Sequence, residues 1–157
     1  MYKGIKGIAN KVIMGMEGIV TPEISQITKP QTTVWVNGCF DVIHAGHIDM
    51  LKYARSLGQY LVVGLDTDER VRSSKGPTRP INTLKHRIKV MDAIRWVDEV
   101  VEFGSDAELI ASMRASNAST IVVGEEYKGY VIGSDVVDDV VFFPRLYGLS
   151  TTNIAGE

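Results

Sequence analysis

Asn37-Gly38-Cys39-Phe40-Asp41-Val42-Ile43-His44-Ala45-Gly46-His47 is the stretch on which the reading of this chain turns. A short β-branched and aromatic run, Val34-Trp35-Val36, reads as a strand that closes at Asn37-Gly38. Behind it, residues 47–57 carry Ile48, Leu51, Ala54 and Leu57 at helical spacing, and Gly58 stands where a helix C-terminus favours it. The quoted stretch therefore joins a strand to a helix and sets two histidines, three residues apart, at the helix start. Unpaired backbone N–H groups and the positive end of the helix dipole meet there, which makes an anion site. Gly46 removes a side chain that would hold a bulky phosphate away. Neither a Walker-type loop ending in Lys-Ser or Lys-Thr nor the spaced glycines of a dinucleotide fold is present.

The alternation continues along the chain. Tyr60 to Leu65 is a continuous apolar run suited to a strand buried on both faces. Asp66-Thr67-Asp68-Glu69 opens a short helix with an acidic first turn, and residues 74–81 form a polar loop. Leu84, Ile88, Met91 and Ile94 mark a further helix, and Glu99 to Phe103 a third strand. Ser105 and Glu108 make a capping box for a helix through Met113. Thr120 to Gly124 is the fourth strand and Val136 to Phe143 the fifth. Strands alternating with such helices mean βαβ units. The predicted fold is α/β: a Rossmann-like three-layer α/β/α domain with a five-stranded parallel sheet. Ligands of such sheets bind beyond the carboxyl ends of the strands, so the loops to search are 37–47, 65–68, 124–135 and 144–152.

Composition bounds the classes of function. The 157 residues fit one domain, and 45% hydrophobic against 23% charged residues excludes a disordered or fibrous chain. A net charge of −2 argues against a nucleic-acid binder, which carries a basic surplus. The single Cys excludes an intrachain disulfide and points to a reducing, cytoplasmic setting. No apolar run reaches membrane-spanning length, so no membrane partner is expected. Residues 1–30 differ: Gly4, Gly7, Gly15 and Gly18 interrupt Ile5, Ile8, Val12, Met16 and Ile19, without the unbroken apolar core of a signal peptide or the arginines of a transit peptide. This stretch reads as an N-terminal arm, possible in helical form, that packs on the domain or a second copy. A membrane-surface or partner-binding helix is the rival reading. The domain is expected to start near Gln31.

Other readings of the histidines were weighed. As metal ligands, His44 and His47 lack companions, since His86 is the only other His and no Cys or carboxylate cluster completes a set; no protein metal site is predicted. They could also be capping or core histidines. Cys39 reads as a small buried residue and not as a nucleophile.

With these residues in view, the sequence resembles the cytidylyltransferase-like nucleotidyltransferases, whose HxGH signature matches His44-Ala45-Gly46-His47. The resemblance runs on through Leu57 to Gly64, Asp66 to Glu69, Lys75 to Asn82, His86-Arg87, Val97 to Val100 and Gly148 to Ile154, about residues 33–154. Heptose 1-phosphate adenylyltransferase domains and glycerol-3-phosphate cytidylyltransferases are the nearest groups. Asn37 to Asp41 and Thr78 to Asn82 look like the former; Phe143-Pro144-Arg145 and Tyr60 to Val63 look like the latter, with the balance towards the heptose type.

The resemblance implies that a phosphorylated sugar or polyol attacks the α-phosphate of ATP or CTP and releases pyrophosphate, with Mg2+ on the triphosphate. It implies catalytic roles for His44, His47, Lys75 and Arg87: the histidines on the triphosphate, Lys75 from its loop on the α-phosphate or the acceptor, and Arg87 clamping phosphate. Gly38, Cys39, Phe40, Gly46 and Gly124 would line the nucleotide, while Arg145, Ser150, Thr151 and Thr152 would grip its outer phosphates. Asp41, Asp66 and Arg79 would meet the acceptor. Plainer readings exist: Lys75 and Arg79 as solvated loop charges, Arg87 paired with Asp92 or Glu99, Asp66 and Ser150-Thr151-Thr152 as helix caps. The family usually continues into a fuller terminal helix, so the short segment after Ile154 is expected to weaken the triphosphate grip or leave a surface for a partner chain. A homodimer is expected. A nucleotide-binding regulatory protein without turnover is the rival function.

Overall fold

The computed structural model describes residues 32–144. The arm at 1–30, the boundary near Gln31, and Arg145, Ser150, Thr151 and Thr152 lie outside the described residues. Five parallel strands form one sheet: β1 (Thr33–Gly38), β2 (Tyr60–Asp66), β3 (Glu99–Phe103), β4 (Ala118–Gly124) and β5 (Asp139–Phe143), in the order β3-β2-β1-β4-β5. The helices are α1 (Ala45–Ser56), α2 (Asp68–Lys75), α3 (Leu84–Asp92) and α4 (Asp106–Ala115). The strand order reverses between β1 and β4, the switch point beyond whose carboxyl ends ligands of such sheets bind.

Period-two side-chain direction sorts the strand residues onto two cores. Val34, Val36, Leu61, Val63, Leu65 and Val122 face Leu51 and Ala54 of α1 and Met91 of α3. Trp35, Val62 and Ile121 point the other way, with Phe103, onto Leu109 and Met113 of α4. The three-layer α/β/α expectation is therefore met. At Gly64 the backbone passes so close to Trp35 that a Cβ would stand 2.7 Å from the indole Cζ2 and 3.1 Å from Phe103 Cε1.

The helix ends follow local chemistry. Thr67, Thr83 and Ser105 accept from the amides of Arg70, His86 and Glu108, each satisfying one orphan donor of a first turn. The Glu108 carboxylate reaches the amide of Gly104, one residue before the expected partner Ser105. α2 closes at Gly76, whose φ of +101° suits glycine and whose amide bonds Arg72 O.

Three expectations need correction. The polar loop begins at Gly76, because capping by Thr67 carries α2 through Lys75. Asp66 is the last residue of β2 and not a helix cap. The fifth strand starts at Asp139, with a 3-10 turn at Ser134–Val136 before it.

Candidate active site

The loop after β1 is built around an unfavourable backbone. Phe40 has φ +48°, a left-handed conformation that a bulky residue adopts only when its surroundings enforce it. Its ring is 5% exposed, lies against Gly38, where a Cβ would come within 3.2 Å, and meets His47 edge-on at 5.1 Å between centroids. Cys39 beside it is also buried. Burial pushes its thiol up, against the lowering fields of Lys75 and Arg87, so it stays protonated and unreactive at neutral pH.

His44 is the N-cap of α1, with extended backbone, and Gly46 and His47 are its second and third helical positions. The two imidazoles stack, with centroids 3.7 Å apart and planes 21° from parallel. His47 Nδ1 accepts from the His44 amide at 3.3 Å, which leaves the neutral ring's proton on Nε2, a donor at the helix N-terminus. Burial, then the charges of His44 and Lys75, lower the His47 pKa to about 4. His47 is thus neutral near pH 7 and offers Nε2–H as a dipole, not a cation. Lys75, at the last residue of α2, is exposed, and its field reaches His47, Cys39 and Asp66. The structure brings His44 and His47 together at the start of α1, and Lys75 stands at the end of α2, where its charge helps to lower the His47 pKa.

Three expected ligand contacts are occupied by the protein itself. The Arg87 side chain is 0% exposed. Its Nε donates to Asn82 O (3.0 Å), its Nη1 to Cys39 O (2.9 Å) and Asp66 O (2.7 Å), and its Nη2 to Asp68 Oδ1 (2.7 Å). The guanidinium is turned into the scaffold, so the clamp on phosphate and the pairing with Asp92 or Glu99 give way to a knot of two loops, the end of β2 and Asp68. Arg79 is likewise not a solvated loop charge. It is 3% exposed, and its Nε donates to Asp41 Oδ2 at 2.9 Å. The Asp41 carboxylate also accepts from the amides of Ile81 and Asn82, both at 2.7 Å. Burial raises the Asp41 pKa, but those amides and Arg79 outweigh it and leave the carboxyl below its ordinary range. Asp41 and Arg79 are thus paired with each other inside the fold, where contacts to the acceptor were expected.

Asp66 accepts from Arg70 Nε at 2.8 Å, and Arg70 continues to Asp106. Desolvation raises the Asp66 carboxyl, with Arg70 opposing. Gly124 ends β4, next to β1 in the sheet, and a Cβ there would collide with the Glu126 carboxylate. The loop after it makes a 3-10 turn, Glu125–Tyr127, and exposes Tyr127 and Tyr130.

Asp68 and Asn82 were missed as organisers. Asp68 Oδ1 accepts from both Leu84 N (2.8 Å) and Arg87, and Asn82 Nδ2 donates to Asp41 O at 2.6 Å. Asp68 read simply as a first-turn acid, and no spacing signal links it to residues 16 and 19 positions on. Asn82 carried no cue beyond lying in a matched stretch.

The family profile described as Cytidylyltransferase-like matches residues 35–154. The chain is 42% identical over 157 residues to the bifunctional protein HldE of Wolinella succinogenes, covering 98% of this chain and 32% of that one. It is 36% identical over 130 residues to the ethanolamine-phosphate cytidylyltransferase of Mus musculus, 79% of this chain and 32% of the other. The chain thus spans about a third of the length of these relatives. A lipopolysaccharide core biosynthesis protein from Thermoplasma volcanium GSS1 shares the fold, with TM-score 0.61 and 22% identity over 73% of this chain and 98% of that structure. With the profile spanning most of the sequence and the fold and loop geometry in agreement, the chain belongs to the cytidylyltransferase-like family.

Proposed function

We propose that this chain is a nucleotidyltransferase that moves a nucleotidyl group from ATP onto a phosphorylated sugar, as a heptose 1-phosphate adenylyltransferase domain does. The observation that carries the reading is the stacked His44–His47 pair at the N-terminus of α1, at the strand-order switch. An oxygen of the acceptor phosphate attacks the α-phosphorus, the bond to the bridging β-oxygen breaks, and pyrophosphate leaves. No side chain needs to form a covalent intermediate. The α1 amides, His47 Nε2–H and the Lys75 ammonium supply donors and charge to the phosphates as negative charge redistributes. The HldE relatives support the adenylyl and sugar-phosphate choices.

Magnesium belongs to the proposal. Among the described residues no group of three or more His, Cys, Asp or Glu could hold an ion, a donor set that fits Mg2+ carried mainly on phosphate oxygens and water. When bound it would neutralise phosphate charge. A homodimer and a cytoplasmic setting complete the reading; no described helix is long and apolar enough to cross a membrane.

The test is pyrophosphate release from each of the four ribonucleoside triphosphates with Mg2+ and a panel of sugar and polyol phosphates. ATP with a sugar phosphate is expected to give the highest kcat/KM. His44→Ala and His47→Ala should each lower kcat by about 100- to 1,000-fold, the cost of one oxyanion donor. Release from no pairing would refute the enzyme and leave the nucleotide-binding regulator. A preference for CTP with a polyol or amino-alcohol phosphate would establish the cytidylyl reading, which the mouse relative favours.

A further inference from the structure

Asp41 joins two segments that are far apart in sequence. Its carboxylate takes Arg79 Nε at 2.9 Å and the consecutive amides of Ile81 and Asn82 at 2.7 Å each, and its own carbonyl takes Asn82 Nδ2 at 2.6 Å. The Asp41 side chain is 0% exposed and that of Arg79 3%. Asp41 directly follows Phe40, whose φ of +48° must be enforced from outside. Phe40 in turn presents its ring to the edge of His47. A rigid path therefore runs from Arg79 through Asp41 and Phe40 to the imidazole pair.

We infer that Arg79 is a positioning residue: its buried pair with Asp41 latches segment 79–82 onto the loop after β1, enforces the Phe40 backbone and so aims His44 and His47, without touching the acceptor. The proposal rests on the nucleotidyl-transfer reading above. Turning the Arg79 guanidinium towards a ligand would leave the Asp41 charge buried and unpaired, which is strongly unfavourable. Releasing the latch lets Phe40 relax to an ordinary φ, and the ring that steadies His47 moves with it. The contribution is thus to transition-state geometry and falls on kcat.

The test combines steady-state kinetics with hydrogen–deuterium exchange on the full chain, comparing wild type with Arg79→Ala and Arg79→Lys. Arg79→Ala should lose about 100-fold in kcat, the scale of a 1 Å misplacement, with the acceptor KM within about threefold of wild type. Arg79→Lys, which keeps the charge but not the fork, should retain more kcat than Arg79→Ala. It also carries the comparison if Arg79→Ala does not fold. Exchange should accelerate together in residues 37–47 and 76–83 and stay unchanged in 106–115 on the other sheet face. A rise in acceptor KM of about tenfold or more at undiminished kcat would make Arg79 a direct ligand and overturn the inference. Acceleration throughout the chain, 106–115 included, would reduce the pair to general stability and also overturn it. Absence of turnover in the wild type itself would sink the proposed function instead. The exchange pattern then decides the latch alone: joint acceleration supports it, and acceleration confined to 76–83 overturns it.

Discussion

Replacing Arg87 separates a scaffold role from a ligand role, because the two predict opposite balances of stability and turnover. The guanidinium donates to three backbone carbonyls and to Asp68 Oδ1 from a fully buried position. Arg87→Ala leaves Cys39 O, Asp66 O and Asn82 O without that donor and leaves Asp68 with the Leu84 amide but no counter-charge. Asp68, 31% exposed, regains water, so the cost comes chiefly from the three carbonyls left without a donor. At about 1–3 kcal/mol each, and with two only part-buried, they cost about 3–5 kcal/mol in sum, a large part of the 5–15 kcal/mol that holds a domain together. At this chain length that corresponds to a fall in Tm of about 6–20 °C. Arg87→Lys should recover little, since one ammonium cannot reach acceptors spread around a planar fork. Urea unfolding followed by circular dichroism gives the free energies, with thermal melts as a check. A cost under about 1 kcal/mol for Arg87→Ala, together with a large loss of turnover, would refute the reasoning and return Arg87 to a phosphate clamp.

Three more outcomes are expected. His47 has a folded pKa near 4 against an unfolded value near 6.5, so the unfolded state binds the extra proton first; stability is complete above pH 6.5 and falls as pH drops towards 4. The loss should reach on the order of 3 kcal/mol and be absent in His47→Asn, read from urea midpoints at pH 7, 5.5 and 4.5. Lys75→Ala, at an exposed helix end, should leave Tm within a few degrees while lowering kcat/KM about 100-fold, an effect that shrinks at high salt. Gly64→Ala would press a methyl group into Trp35 and should cost about 1–3 kcal/mol by overpacking, with a changed tryptophan fluorescence in the native state.

The fold was legible because its signals are local and periodic. The buried run Tyr60 to Leu65, the strand at Glu99–Phe103 and the cap at Ser105 depend on neighbours within four residues. The histidine pair was legible for the same reason, since N-cap and third helical position are set by spacing alone. The partners of Asp41, Asp66, Asp68, Arg79 and Arg87 were not. Asp41 meets residues 38 to 41 positions away, and Arg87 meets carbonyls, which every residue carries and no composition reveals. A charged side chain beside a glycine- and proline-containing loop reads as solvated until the loop is seen to fold back over it.

That difference changes where the site's affinity for a polyanion comes from. The sequence reading gathers His44, His47, Lys75, Arg79, Arg87 and Arg145 at one edge as a locally positive site, of which Arg145 lies outside the described residues. Yet Arg79 is matched by Asp41 and Arg87 by Asp68, and a neutral His47 adds no charge. Among the described residues, what remains for a polyanion at this edge is the N-terminus of α1 and the exposed Lys75. The arginines hold the shape of the site, and with both guanidiniums buried their pairs are screened less by salt than exposed charges, so the geometry should persist at high ionic strength. Attraction by Lys75 is screened within about 10 Å at 0.1 M salt. Salt should therefore raise the KM for triphosphate while sparing kcat, whereas a site built on free arginines would raise KM and lose kcat together.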